Sequence, residues 1–166
     1  MNIDQLEKNL ERVQSWIKNA DDKVSILLAF DGLYFIFLVE KVVSKIRDAA
    51  NQKAEITMML YGAAIFFFLW SLLKALSAVY PRLKHNHADR SLLYFTDIAA
   101  QTFEEFSKAM TKSTAAKYKE DLTRQIHSSS IIAAKKFTAF KDALFLTLLS
   151  LTLLGLTAIC QRGLNL

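Results

Sequence analysis

Ile56–Leu73 reads ITMMLYGAAIFFFLWSLL and Ala143–Cys160 reads ALFLTLLSLTLLGLTAIC, eighteen consecutive residues each without a charge. A helix needs about 20 apolar residues to cross a hydrocarbon core roughly 30 Å thick. Two such runs in a chain of 166 residues predict a membrane protein whose polar remainder is small. The first run continues through Lys74 to Tyr80, where Pro81 ends it, because proline cannot continue the helical ladder and the residue before it avoids helical angles.

The residues N-terminal to that span hold a third apolar run, Val24–Val39, flanked by Lys23 and by Glu40-Lys41 and interrupted by Asp31 and Gly32. Its Leu, Ile and Phe content predicts a weaker first span over 24–43. Before it, Ile3, Leu6, Leu10, Val13 and Ile17 recur at steps of three and four, which predicts an amphipathic helix over 1–23. Residues 40–55 form a short polar connection to the second span at 56–80. Residues 81–142 are the sizeable polar region, with a helix predicted over Ser91–Met110 and a second one capped by Ser113 or Thr114. The stripe Tyr118, Leu122, Ile126, Ser129, Ala133, Phe137, Phe140, Leu144 then advances in steps of three and four without a helix breaker into the last span, 143–160. One continuous helix from about residue 114 into the bilayer is expected. The fold class is thus an all-α membrane protein: an N-terminal amphipathic helix, about three transmembrane helices, and a cytoplasmic helical region between the second and third spans.

Composition agrees. Mean hydropathy is +0.20 and 52% of residues are hydrophobic, high for a soluble chain of this size. Only 4 Gly and 1 Pro stand against 12 Phe, so the turn chemistry of a sheet is missing. A lone Cys160 excludes an internal disulfide framework and a cysteine-rich zinc site. The charged, amphipathic first twenty residues do not resemble a cleavable signal peptide. The net charge of +5 suits anionic headgroups or an anionic ligand better than a nucleic-acid polymer. Residues 81–142 hold eleven Lys and Arg and residues 2–23 hold four, against four in the 40–55 connection, so the positive-inside rule puts 81–142 and 2–23 in the cytoplasm of a multi-pass membrane protein.

Two charges fall within the spans. Asp31 lies about 12 Å beyond Lys23 and Lys74 about 9 Å before Tyr80, at ~1.5 Å per helical residue. In antiparallel spans these depths nearly coincide, so an intramembrane pair Asp31–Lys74 is expected. The alternative is a snorkelling Lys74 and an Asp31 capped by hydroxyls. No catalytic constellation is evident. His85-Asn86-His87 with Asp89 lacks a matching ligand set, so no metal is expected. Glu104-Glu105 and Glu120-Asp121 are sequence neighbours that point in different directions on a helix. No glycine-rich phosphate loop or nucleophile elbow occurs. A non-enzyme without a cofactor is expected.

Several segments, in order, resemble the Pycsar effector proteins, bacterial anti-phage membrane effectors. Ala20-Asp21-Asp22-Lys23-Val24-Ser25-Ile26-Leu27-Leu28 is similar to the family's entry into its first span. Val79-Tyr80-Pro81-Arg82 resembles the exit from its second, and Tyr94-Phe95 with Ile98 a "YF-x-x-I" segment. Gln125-Ile126, Ile131 and Lys136-Phe137 resemble the approach to its last span. Val24 departs from the usual small residue, and the 84–90 loop is unusually His-rich. The resemblance implies abortive infection: a cognate cyclase makes cyclic CMP or cyclic UMP, the effector senses it, and the inner membrane is impaired. A cyclic nucleotide needs a cation for its phosphate, a ring for its base, and amide or hydroxyl partners for its edges. Arg82, Lys135 and Lys136 are candidate cations, Tyr94 and Phe95 candidate stacking rings, and Gln125, Ser128 and Ser129 candidate edge or ribose partners. Gln125, Ser129, Ile132 and Lys136 share one helix side. Homo-oligomerisation is expected, because three spans enclose little pore. The competing function is a constitutive small membrane scaffold whose cytoplasmic helices bind a protein partner.

Overall fold

The computed structural model describes residues 2–47, 55–80 and 91–164. Every regular element among them is helical: α1 (Ile3–Arg47), α2 (Glu55–Val79), α3 (Phe95–Ala99), α4 (Phe103–Lys112) and α5 (Ala115–Leu164). Pro81, Arg82 and the His85–Asp89 loop lie outside the described residues. Met1–Ala20 and Tyr80–Lys135 form one compact unit; Asp21–Val79 and Lys136–Leu166 form another.

The expected boundary between an amphipathic helix and a first span does not interrupt the backbone. α1 is one helix of 45 residues. The reason is periodic. Leu6, Val13, Ala20, Val24, Leu27, Asp31, Tyr34 and Leu38 are buried, and Leu10 and Ile17 are partly so. Together they advance by alternating fours and threes across the whole length. That 3.5-residue period is the signature of helices that pack along a supercoiled seam.

The same period governs the second unit. On α2, Thr57, Tyr61, Ala64, Phe68, Ser71, Ala75 and Ala78 are buried, and on α5, Ala143, Thr147, Ser150, Leu154 and Thr157. The sequence stripe placed Leu144 inward; the structure puts Ala143 there, and Leu144 stands at the edge. The threes and fours resume at Phe140→Ala143, and the small alanine lets α2 approach closely. One apolar cluster joins Val24, Leu27, Ala75, Ala78 and Ala143. Another joins Tyr34, Leu38, Tyr61, Phe68 and Leu154.

What faces outward is apolar: Ile26, Leu33, Ile36, Phe66, Leu73, Phe145 and Ile159 are all exposed, while Asp31, Ser71, Thr147 and Ser150 are buried. This inverts the partition of a soluble bundle, where so large an apolar surface is rare. Two stretches are long and apolar enough to cross a membrane, Ile56–Val79 and one within Ala115–Gln161, and only 28% of either apolar window is buried. A soluble core helix would be mostly buried. By length and composition there are therefore two such helices among the described residues, against the three expected. The α1 run fails because only sixteen residues separate Lys23 from Glu40, so any eighteen-residue stretch that includes Asp31 carries at least three charges.

In the first unit, the single helix expected over Ser91–Met110 is two short ones. Thr102 restarts the chain with a capping box: its hydroxyl accepts from Glu105 N, and the Glu105 carboxylate accepts from Thr102 N. α5 is the expected continuous helix. Thr114 caps it by accepting from Lys117 N at 3.3 Å, whereas Ser113 closes α4.

Candidate functional site

In the first unit the polar chemistry converges on Ser91. This residue precedes α3, where the chain is not helical and its amides need partners. The Ser91 hydroxyl accepts from Leu93 N and Tyr94 N at 3.1 and 3.0 Å. It donates to the Asp121 carboxylate, with oxygen distances of 2.8 and 3.0 Å. Asp121 also takes Leu92 N at 2.9 Å, and Asp97 takes Ser91 N at 2.8 Å. Gln125, one turn along α5 from Asp121, donates Nε2 to the Ser91 hydroxyl at 3.2 Å. The segment before α3 is thereby fastened to α5 by side chains that satisfy its main chain.

Of the sequence candidates, Tyr94, Phe95 and Gln125 gather at this hub. The Tyr94 and Phe95 rings lie 5.2 Å apart, tilted by 54°, and Phe95 is 63% exposed. Ser129 is a half-buried hydroxyl one turn beyond Gln125 on α5. Among the described residues neither Gln125 Oε1 nor the Ser129 hydroxyl has a hydrogen-bond partner. Lys136 is not at the hub. It belongs to the second unit, where its ammonium is paired with the Asp21 carboxylate. Beside that pair Lys23 sits 5.3 Å over the Phe137 ring. Arg82 lies outside the described residues. The sequence reading missed Ser91, Asp97 and Asp121. It had set Glu120 and Asp121 apart as diverging neighbours, and they do diverge: Glu120 pairs with Arg124, whereas Asp121 turns to Ser91.

The second unit carries a polar layer between its two apolar clusters. The expected Asp31–Lys74 pair is not formed. Asp31, 1% exposed, takes the Thr147 hydroxyl at 3.1 Å, while Lys74 donates to Asp142 at 3.3 Å at the half-exposed edge. Asp31 lies on the buried stripe of α1, between Leu27 and Tyr34, so it faces the hydroxyls of α5. A lysine stem on α2 reaches outward to a carboxylate just before the last apolar run, where desolvation costs less. Thr147 also meets Ser71 at 2.8 Å. Ser71 donates to the Ala143 carbonyl at 2.8 Å, and Ser150 donates to the Ala64 carbonyl at 2.7 Å. Since the Ser150 proton is used there, Tyr34 donates to Ser150 across 2.8 Å. The signal for this layer was present in sequence: Thr147, Ser150 and Thr157 recur at helical spacing inside an otherwise apolar run.

The family model described as "Pycsar effector protein domain" matches residues 5–161. Comparison with curated proteins and with solved structures yields no match.

Proposed function

The chain belongs to the Pycsar effector family, and from that premise we propose that it is a ligand-gated membrane effector that binds cyclic CMP or cyclic UMP and then impairs the bacterial inner membrane, ending growth of the phage-infected cell. The observation that carries the membrane half of this reading is the inverted packing of the second unit, with hydroxyls and a carboxyl inside and aromatic and aliphatic side chains outside. The same inversion supports reading residues 24–43 of α1 as a third span. That segment presents Ile26, Leu33 and Ile36 outward and hides Asp31 among hydroxyls. The sensor half rests on the first unit. The exposed Phe95 ring stacks the base, Gln125 Oε1 and the Ser129 hydroxyl read its edge and ribose, and Arg82 meets the phosphate as a bidentate cation.

Gating follows from the shared helices. α1 and α5 each contribute residues to both units. A ligand that binds two packings of the first unit unequally therefore biases the helices that continue into the second. Several copies assemble for the membrane to be breached, and the protein itself catalyses no reaction.

Titration calorimetry of the detergent-purified protein against a panel of cyclic mono- and dinucleotides tests the sensor. Saturable binding of one pyrimidine cyclic nucleotide is expected, and it weakens when Phe95 or Gln125 is replaced by Ala. Silence across the panel would favour a constitutive scaffold.

A further inference from the structure

A groove of about 510 Å³ runs between α2 and α5 in the second unit, lined by Phe66, Phe67, Trp70, Phe145 and Leu146 and closed at one end by Lys74, Lys141 and Asp142. Its volume falls in the range of roughly 300–1,000 Å³ typical of small-molecule sites. The aromatic wall is preformed: Phe66 meets Phe67 and Trp70 edge-on, at 5.5 and 5.6 Å between ring centroids. Phe66, Trp70 and Lys74 repeat every four residues on α2, so the wall is a straight track of about 12 Å at ~1.5 Å per residue. On α5, Lys141 and Phe145 keep the same spacing in the opposite chain direction, so the charged groups of both helices meet at one end.

We propose that this groove is a binding site for one anionic phospholipid, with an acyl chain along the aromatic track and the phosphodiester at Lys141 and Lys74. Three features select that occupant. The track lies on helices apolar enough to span a bilayer and opens outward, where lipid is the solvent. Its polarity gradient matches a lipid's, since the charged end lies where α2 is about to terminate and the last apolar run of α5 begins. The charges at that end sum to one positive: Lys74 and Lys141 against Asp142, with Lys74 already bridged to Asp142 at 3.3 Å. A phosphodiester carries the single negative charge that completes the set. A zwitterionic lipid brings its own cation and gains less there. The site is separate from the nucleotide sensor and stands whether or not that sensor binds its ligand.

Fluorescence quenching tests this directly. The chain has two tryptophans, Trp16 and Trp70, so Trp16→Phe leaves Trp70 in the groove as sole reporter. The full-length variant is placed in nanodiscs of phosphatidylglycerol and phosphatidylcholine at equal mole fraction, with one or the other brominated in its acyl chains. Phosphatidylglycerol is expected to occupy the Trp70 site roughly fivefold more strongly, the factor one surface cation contributes against an anionic headgroup. Adding Lys141→Gln, an exposed substitution that keeps a good helix former, is expected to bring the ratio near one with the helical circular dichroism unchanged. Equal quenching by both lipids in the Trp16→Phe parent overturns the proposal, since any annular lipid would then do. A preference that survives Lys141→Gln overturns the assignment of the headgroup. Absence of quenching by either lipid overturns it too, because a second copy of the chain would then cover the track.

Discussion

Ser71 on α2 donates its hydroxyl proton to the main-chain carbonyl of Ala143 on α5, 2.8 Å away. Ser150 on α5 returns the bond to the Ala64 carbonyl of α2 at 2.7 Å. Each helix thus lends the other a side-chain donor at a point where both carry small residues. In lipid, where apolar surface has nothing to gain by leaving its solvent, close packing and interhelical hydrogen bonds drive association. Ser71→Ala is expected to cost about 0.6–1.7 kcal/mol, the span of such bonds in membrane proteins. Ser71→Leu should cost more, because Ala143 leaves no room. Unfolding in mixed micelles of rising denaturing-detergent fraction measures both, and a Leu variant as stable as the Ala one would show that the helices are not in close contact there.

Asp31 is what keeps α1 from reading as a span by itself. Its carboxyl is accommodated by Thr147, a residue more than a hundred positions away that a local reading of the 24–39 run does not include. An isolated segment carrying residues 20–43 should insert poorly. Asp31→Leu should favour its insertion by about 3 kcal/mol, the difference between Leu and Asp at a helix centre on insertion scales. Glycosylation mapping of the two segments reads this. Equal insertion would mean that Asp31 does not set the threshold.

These cases also show how much was legible in the chain. Long apolar runs, the absence of turn residues and the unbroken stripe from Thr114 onward were enough to place α2 and α5, because length and periodicity are local properties. The partner of a buried charge is not local. Depth along the helix put Asp31 level with Lys74, but the face each presents is set by which residues occupy the 3–4 stripe, and Asp31 is on it while Lys74 is not. The continuity of α1 through Asp21-Asp22 was missed for a related reason. Charges look like a boundary in sequence, whereas on the helix Asp22 projects from the side opposite Ala20 and Val24, and Asp21 reaches Lys136 of α5 beside the stripe. At the sensor, the residue types for stacking and edge reading were identifiable. The fastening role of Ser91 and Asp121 was not, since it depends on a chain reversal that brings residues 30 positions apart together.

Ser91→Ala is expected to loosen the first unit more than a typical surface change. It removes a charge-assisted bond to Asp121, worth about 1.5–3 kcal/mol, and also strips Leu93 N and Tyr94 N of their acceptor. Hydrogen exchange should show faster exchange at those amides and across α3, with the amides of α2 unaffected. Uniform protection in the variant would show that the hub is not what holds the segment.

The last expectation concerns pH. The Tyr118 hydroxyl donates to the Glu7 carboxylate at 2.9 Å, tying α5 to the start of α1 within the first unit. That bond, then partial burial and the nearby negative charges of Glu7 and Asp121, hold the phenol's pKa above its ordinary value of 10.0. The folded state therefore keeps the proton more tightly than the unfolded chain does. The associated stability is fully present below pH ~10, where the unfolded phenol is still protonated, and is lost as pH rises through the higher folded value. Wild type should lose stability from about pH 10 upward by more than Tyr118→Phe, which lacks the titrating group. At neutral pH the variant should be the less stable of the two by the worth of one partly exposed hydrogen bond. Thermal melts followed by circular dichroism between pH 7 and 11 give both comparisons. Parallel curves for the two proteins across that range would mean that the Tyr118–Glu7 bond contributes nothing to the folded state.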